Sequence, residues 1–210
     1  MPGNVSTRDA VSFLCLLGMI WVLGVAGDAV NPALRYTRSG IENGQWWRLL
    51  TSHFVHLGLY HTLLNTLGLV LIAALFGHLV GIAQWSIIAG VLAVGINGGL
   101  YFFSPEITYC LGLSGLLHGL FAVGIVLSAT SQRIVSAIAF GLLAAKLLWE
   151  QTPGYDINYL QGYMHAPVVV DAHLYGASIG LIIGVAVLVC ERAVHPGWRR
   201  LDRVSSPSRR

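Results

Sequence analysis

Long apolar runs separated by short polar stretches organise this chain. A helix needs about 20 apolar residues to cross a bilayer. Runs of that order lie at 10–28, 59–79, 82–103, 113–130, 133–150 and 172–191. They predict six helices, with one long connection at 29–58 and shorter ones elsewhere. The fifth run is the least apolar because it holds Lys146 and Glu150. These two are four apart on one helical face near its end, where they can pair or snorkel. Glycine is frequent inside the runs, as expected where helices pack closely in lipid.

Composition strengthens this pattern. Of the 210 residues, 55% are hydrophobic and 10% charged, against about 25% charged in a soluble domain. The expectation is an all-α membrane protein: residues 1–9 lead into a membrane domain over 10–191, and 192–210 form a basic, disordered tail. The first run does not suit a cleaved signal peptide. Arg8 is offset by Asp9, and the apolar stretch is long for such a leader.

Charge sets an expected orientation. The net charge is +3, and six of the twelve Lys and Arg follow Cys190: Arg192, Arg199, Arg200, Arg203, Arg209 and Arg210. A basic tail favours the cytoplasm and anionic lipid headgroups. Six spans return the N-terminus to the same side, so the connections 29–58, 104–112 and 151–171 face the exterior or periplasm. Arg133 agrees with this orientation, whereas Arg35, Arg38 and Arg48 run against it. No motif supports nucleic-acid binding. Cys15, Cys110 and Cys190 match no zinc or redox spacing.

Three polar clusters interrupt the apolar runs: His53, His56, His61 and Asn65; Gly112-Leu113-Ser114-Gly115 with His118; and Asp171-Ala172-His173 followed by Gly176, Gly180 and Gly184. Ionisable groups inside a membrane are costly and point to function. His61 and Asn65 lie in the first turns of the second span, Ser114 opens the fourth and His173 opens the sixth. Even-numbered spans all enter from one side, so these groups converge on one leaflet. A serine and a histidine at matching depth suit nucleophilic catalysis: a neutral His173 accepts the proton of Ser114. His61 and Asn65 share a helical face and can join the Ser114 N–H as oxyanion donors. The glycine stripe lets the sixth helix approach a neighbour closely; if that neighbour is the fourth, His173 meets Ser114.

These motifs resemble the rhomboid protease family: Gly-Leu-Ser-Gly at 112–115, Ala172-His173 with its glycine stripe, His61 with Asn65, and Trp47-Arg48 in the first connection. The resemblance covers about 40–190. It implies a six-transmembrane-helix rhomboid-like bundle, with Ser114 as nucleophile, His173 as general base, and His61 and Asn65 as oxyanion donors. It also implies a lateral opening for substrate near the second and fifth helices. His56 matches a further histidine of the family. Many rhomboids carry a tyrosine four residues after the serine, stacked on the catalytic histidine; this chain has His118 there. That form resembles the rhombosortase subgroup. The subgroup implies a single-span substrate bearing a C-terminal Gly-Gly motif, a helix and a basic tail. It also implies the bacterial inner membrane, with both termini cytoplasmic, the active site toward the periplasm and no cofactor.

Other readings stand beside these. Ser114 can bond back to its own helix, and His61 and Asn65 can tie helices together. His118 is a packing group or a catalytic support. His53 and His56 read as structural or interfacial, His78 and His195 as surface groups. Asp171 reads as the N-cap of the last helix. His165 and Cys110 fall near the site without a task. A metal or haem site built from His53, His56, His61, His118 and His173 is a different class of function, but their spacing does not suit two ligands on one helix. A catalytically dead client binder and a small transporter complete the alternatives.

Overall fold

The computed structural model describes residues 6–159, 161–164 and 167–194. The expected basic tail at 192–210 falls outside them from residue 195 on, as do His165 and His195. The six apolar runs appear as the helices α1 (Thr7–Val25), α5 (Gly58–Phe76), α6 (Ile82–Phe103), α7 (Ser114–Ser128), α8 (Arg133–Glu150) and α10 (Val170–Val194). Ser6 caps α1 reciprocally with Asp9, accepting from the Asp9 N–H at 3.1 Å. Among the described residues, α1, α5, α6 and α10 are both long and apolar enough to cross a membrane. α7 is apolar but has only 15 residues, and α8 carries Arg133, Lys146 and Glu150. By length and composition alone, then, four spans are secure and the count of six is not.

The first connection was expected as a loop, yet it is folded. It contains α2 (Gly27–Leu34), β1 (Tyr36–Thr37), α3 (Arg38–Glu42) and α4 (Arg48–Thr51). β1 pairs antiparallel with β2 (Tyr109–Cys110), which matches Tyr36 to Cys110 and ties this connection to the segment entering α7. The last carbonyls of a helix lack partners within it, and those of α2 are met by the Trp47-Arg48 region. Arg48 donates to Pro32 O (3.0 Å) and Arg35 O (2.7 Å), Trp47 Nε1 to Ala33 O (3.1 Å) and Thr51 Oγ1 to Leu34 O (2.7 Å). Arg38 does the same at the end of α6, reaching Leu100 O, Tyr101 O and Ser104 O at 3.2, 2.8 and 3.3 Å. Cations at helix C-termini are favoured by the helix dipole. Two of the three arginines that ran against the charge rule thus have a structural task.

α7 is the centre of the bundle: ten of its fifteen residues are buried. It packs chiefly on α10, and the glycines explain how. A methyl group at Gly115 would lie 2.8 Å from Ala172 O, and one at Gly176 or Gly180 would overlap the carbonyl oxygens of Gly115 or Gly119. Only hydrogen atoms fit in this seam, so the two backbones touch along two turns. α5, α7 and α10 begin, and α6 and α8 end, at the same end of the bundle. Trp46, Trp47, Phe102, Phe103 and Trp149 are exposed there, the aromatic composition of a membrane–water interface. The short helix α9 (Gln161–Met164) lies at that end, where Tyr163 stacks on Tyr60 at 4.9 Å.

Candidate active site

Ser114 is the first residue of α7, and Gly112 delivers it there. The Gly112 φ is +114°, a conformation L side chains rarely adopt, and its N–H donates to Ser52 O at 2.9 Å. A side chain at 112 would also strike the His61 imidazole, with Cε1 only 2.5 Å from its Cβ. Across the glycine seam, His173 sits in the first turn of α10, 5% exposed. Its Nε2 lies 3.0 Å from Ser114 Oγ.

The other ring nitrogen has a partner that the sequence reading paired only with Lys146. Both carboxylate oxygens of Glu150, the last residue of α8, approach His173 Nδ1, at 3.1 and 3.0 Å. Glu150 is 4% exposed and also pairs with Lys146. A topological signal for this was present. If even-numbered helices begin at the site, odd-numbered helices end there, and Glu150 ends the fifth long helix. His118 stacks nearly parallel on His173, with ring centroids 4.2 Å apart and planes 17° apart. Its Nδ1 lies 2.7 Å from Ser114 O; since a carbonyl only accepts, that nitrogen carries the proton.

His61 and Asn65 line one cavity with Ser114, His118 and His173, of about 330 Å³. The Leu57 N–H donates to His61 Nδ1 at 3.3 Å, which leaves the His61 proton on Nε2. Asn65 Nδ2 is buried and has no hydrogen-bond partner among the described residues. The N–H groups opening α7 are free of helical partners by their position. This end of the bundle therefore offers a hydroxyl beside a base, and several donors facing the same space.

The remaining candidates make no side-chain hydrogen bond with the Ser114–His173 pair among the described residues, although His53 and Cys110 also line the cavity. His53 Nε2 donates to Ala93 O at 3.1 Å. His56 is fully buried, 5.1 Å edge-on from His61. Burial pushes His53 down to about 4, and burial followed by the neighbouring His61 pushes His56 down to about 3, so both are neutral at pH 7. Burial pushes the Cys110 thiol up to about 12, which removes it as a nucleophile at neutral pH. Asp171 is not the N-cap expected of it. It is the second residue of α10 and accepts from Ser104 Oγ at 2.5 Å, because the helix starts one residue before it. His78 is exposed, as anticipated. His53, His56 and His61 belong to no converging ligand set among the described residues; the ligating atoms that do lie within 4.8 Å of one another are those of His118, Glu150 and His173.

Known proteins resemble this chain over the residues that build the site. The family model described as the rhomboid domain matches residues 43–190. The Bacillus subtilis protein YdcA, whose name assigns it provisionally to the rhomboid proteases, is 27% identical over 69% of this chain and 68% of its own length. The rhomboid protease GluP of the same organism is 23% identical over 78% of this chain and 33% of its own. The rhomboid protease GlpG of Yersinia enterocolitica is 27% identical over 83% of this chain and 60% of its own. The chain thus spans between 33% and 68% of these relatives' lengths. With a family model covering most of its residues, including every side chain that meets in the cavity, this chain belongs to the rhomboid family.

Proposed function

We propose that the chain is an intramembrane serine endopeptidase. The observation that carries this is the 3.0 Å approach of Ser114 Oγ to His173 Nε2 across a seam that only glycine permits. Ser114 attacks a peptide carbonyl and His173 takes its proton. His61 Nε2, Asn65 Nδ2 and the Ser114 N–H receive the oxyanion, and the stacked His118 supports the His173 ring plane. The names of the relatives favour the same activity.

All six long helices cross the membrane in this reading. α7 spans about 22 Å at 1.5 Å per residue, short of the roughly 30 Å hydrocarbon core, so its Ser114 end sinks below the membrane surface. There the amide bonds of a helical substrate are already hydrogen-bonded, and cleavage requires local unfolding. The substrate class is a single-span protein with a C-terminal Gly-Gly motif, a helix and a basic tail. His118 at the position of the usual tyrosine supports that subgroup. The protein then lies in a bacterial inner membrane, termini in the cytoplasm and cavity toward the periplasm.

The test is cleavage of a Gly-Gly-tailed reporter in liposomes. Ser114→Ala and His173→Ala should each abolish cleavage, and Ser114→Ala should leave the melting curve in place. Full activity in either variant would end the serine mechanism. Cleavage of other single-span reporters but not the Gly-Gly one would keep the protease and discard the subgroup.

A further inference from the structure

The geometry points to Glu150 as a positioning residue that fixes the proton and the rotation of His173, making the centre a Ser–His–Glu arrangement and not a dyad. This rests on the protease reading above.

The helix itself does little to favour Glu150 where it stands. It closes α8, and an acidic group at a helix C-terminus opposes the helix dipole. Lys146 precedes it by four residues, the less favourable order for an i, i+4 pair. α8 is peripheral, and Glu150 is one of only three residues it buries, with Ser136 and Leu143. A carboxylate drawn inward from the edge of a membrane bundle is costly unless paired. The cost is offset from outside the helix by His173 Nδ1 on both oxygens.

The consequence concerns the tautomer. A neutral imidazole carries one proton, on either nitrogen. The Glu150 carboxylate only accepts, so it holds that proton on Nδ1 and leaves the Nε2 lone pair facing the Ser114 hydroxyl. The opposite tautomer would aim a proton at Ser114 and could not take one. When Ser114 Oγ bonds the carbonyl carbon, its proton moves to Nε2, and the resulting imidazolium lies against an anion. As the C–N bond breaks, Nε2 returns that proton to the leaving nitrogen, and Glu150 stays ionised throughout. Lys146, its side chain about half exposed, pairs with the same carboxylate and favours its ionised form. His118 acts on the other degree of freedom: its stacked ring sets the plane in which His173 lies.

Glu150, His118 and His173 also carry the ligating atoms that converge within 4.8 Å. A cation there would have to strip the Nδ1 proton and displace Lys146, so the hydrogen-bonded arrangement is the one these contacts build.

The test uses the full chain in detergent and a fluorophosphonate probe, which reports Ser114 reactivity whatever the natural substrate. Glu150→Gln should lower the maximal labelling rate about 100-fold with the probe's half-saturating concentration changed less than about twofold. Glu150→Asp should recover about tenfold of that loss, and a chelator should change nothing. Unaltered labelling in Glu150→Gln, or a tightly bound metal whose removal stops labelling, overturns the role of Glu150. If Glu150→Gln does not fold, ¹⁵N spectra of the wild type decide: the His173 proton belongs on Nδ1, and finding it on Nε2 overturns the proposal. Failure of the wild type itself to label at Ser114 would instead sink the protease reading.

Discussion

Two polar regions share one end of this apolar bundle, and they use their side-chain donors differently. In the first connection the long donors are spent on carbonyls, even though Tyr36 Oη, Asn31 Oδ1 and both His56 ring nitrogens there are buried without partners among the described residues. Arg48 reaches Gln45 and two carbonyls, Arg38 reaches three, and Asn97 Nδ2 donates to Leu49 O and Ser52 Oγ at 2.8 and 2.7 Å. Around the cavity an amide donor is left open toward the space itself. Asn65 Nδ2 has no partner among the described residues, and Ser114 and Gly115, which open α7, line the same space. A buried polar group without a partner costs about 1–3 kcal/mol. The donors of the first region therefore tie distant segments together, while in the proposed protease the second region keeps a donor for the charge that develops during reaction.

That contrast predicts which property each substitution breaks. Ser114→Ala should have the largest effect, a loss of about 10⁴-fold or more in cleavage rate, with thermal unfolding unmoved. Next, Asn65→Ala should lower kcat by about 10²–10³-fold; because the amide is unpaired, stability should hold or rise slightly. A clear drop in melting temperature instead would place Asn65 with the structural group. Arg48→Met should do the reverse. It leaves Pro32 O and Arg35 O without their donor, so unfolding free energy should fall by about 3 kcal/mol, and any activity lost should track the unfolded fraction.

The smallest effect is one of pH. His53 and His56 are held below their unfolded value of about 6.5 by burial. Their neutral burial is fully tolerated above that pH. As pH falls below it the unfolded chain binds protons that the folded one refuses, and stability is lost progressively toward pH 4. The loss should be about 2 kcal/mol per histidine between pH 7 and 5, readable as a fall in melting temperature. His56→Phe, if it folds, should flatten half of that slope; an unchanged slope would mean that His56 is not buried neutral.

Much of this was legible in the chain because membrane spans announce themselves. The apolar runs marked the six long helices to within a few residues, and the parity of those helices put His61, Asn65, Ser114 and His173 at one end. The glycine stripe foretold a close helix pair, and the structure names its partner as α7. What was missed has a common form. The structured first connection, the capping role of Arg38 and Arg48, and the contact of Glu150 with His173 all depend on residues far apart in sequence. Asp171 failed for a simpler reason: α10 begins two residues earlier than the expected 172, so its carboxylate turns to Ser104.

Sequence by itself determined that this is an apolar helical protein with a serine and a histidine at the same membrane depth. Hydrophobic length and helix parity are properties of the linear chain. Only the tertiary structure decided what each polar atom faces. The pairing of β1 with β2, the backbone contact of α7 with α10, and the inward turn of Glu150 arise from packing between segments 20 to 75 residues apart. Hydrogen bonds are short and directional. Placing Ser114, His173 and Glu150 on one end is a matter of counting turns, but bringing Oγ to 3.0 Å from Nε2 and a carboxylate to 3.0 Å from Nδ1 requires the whole bundle.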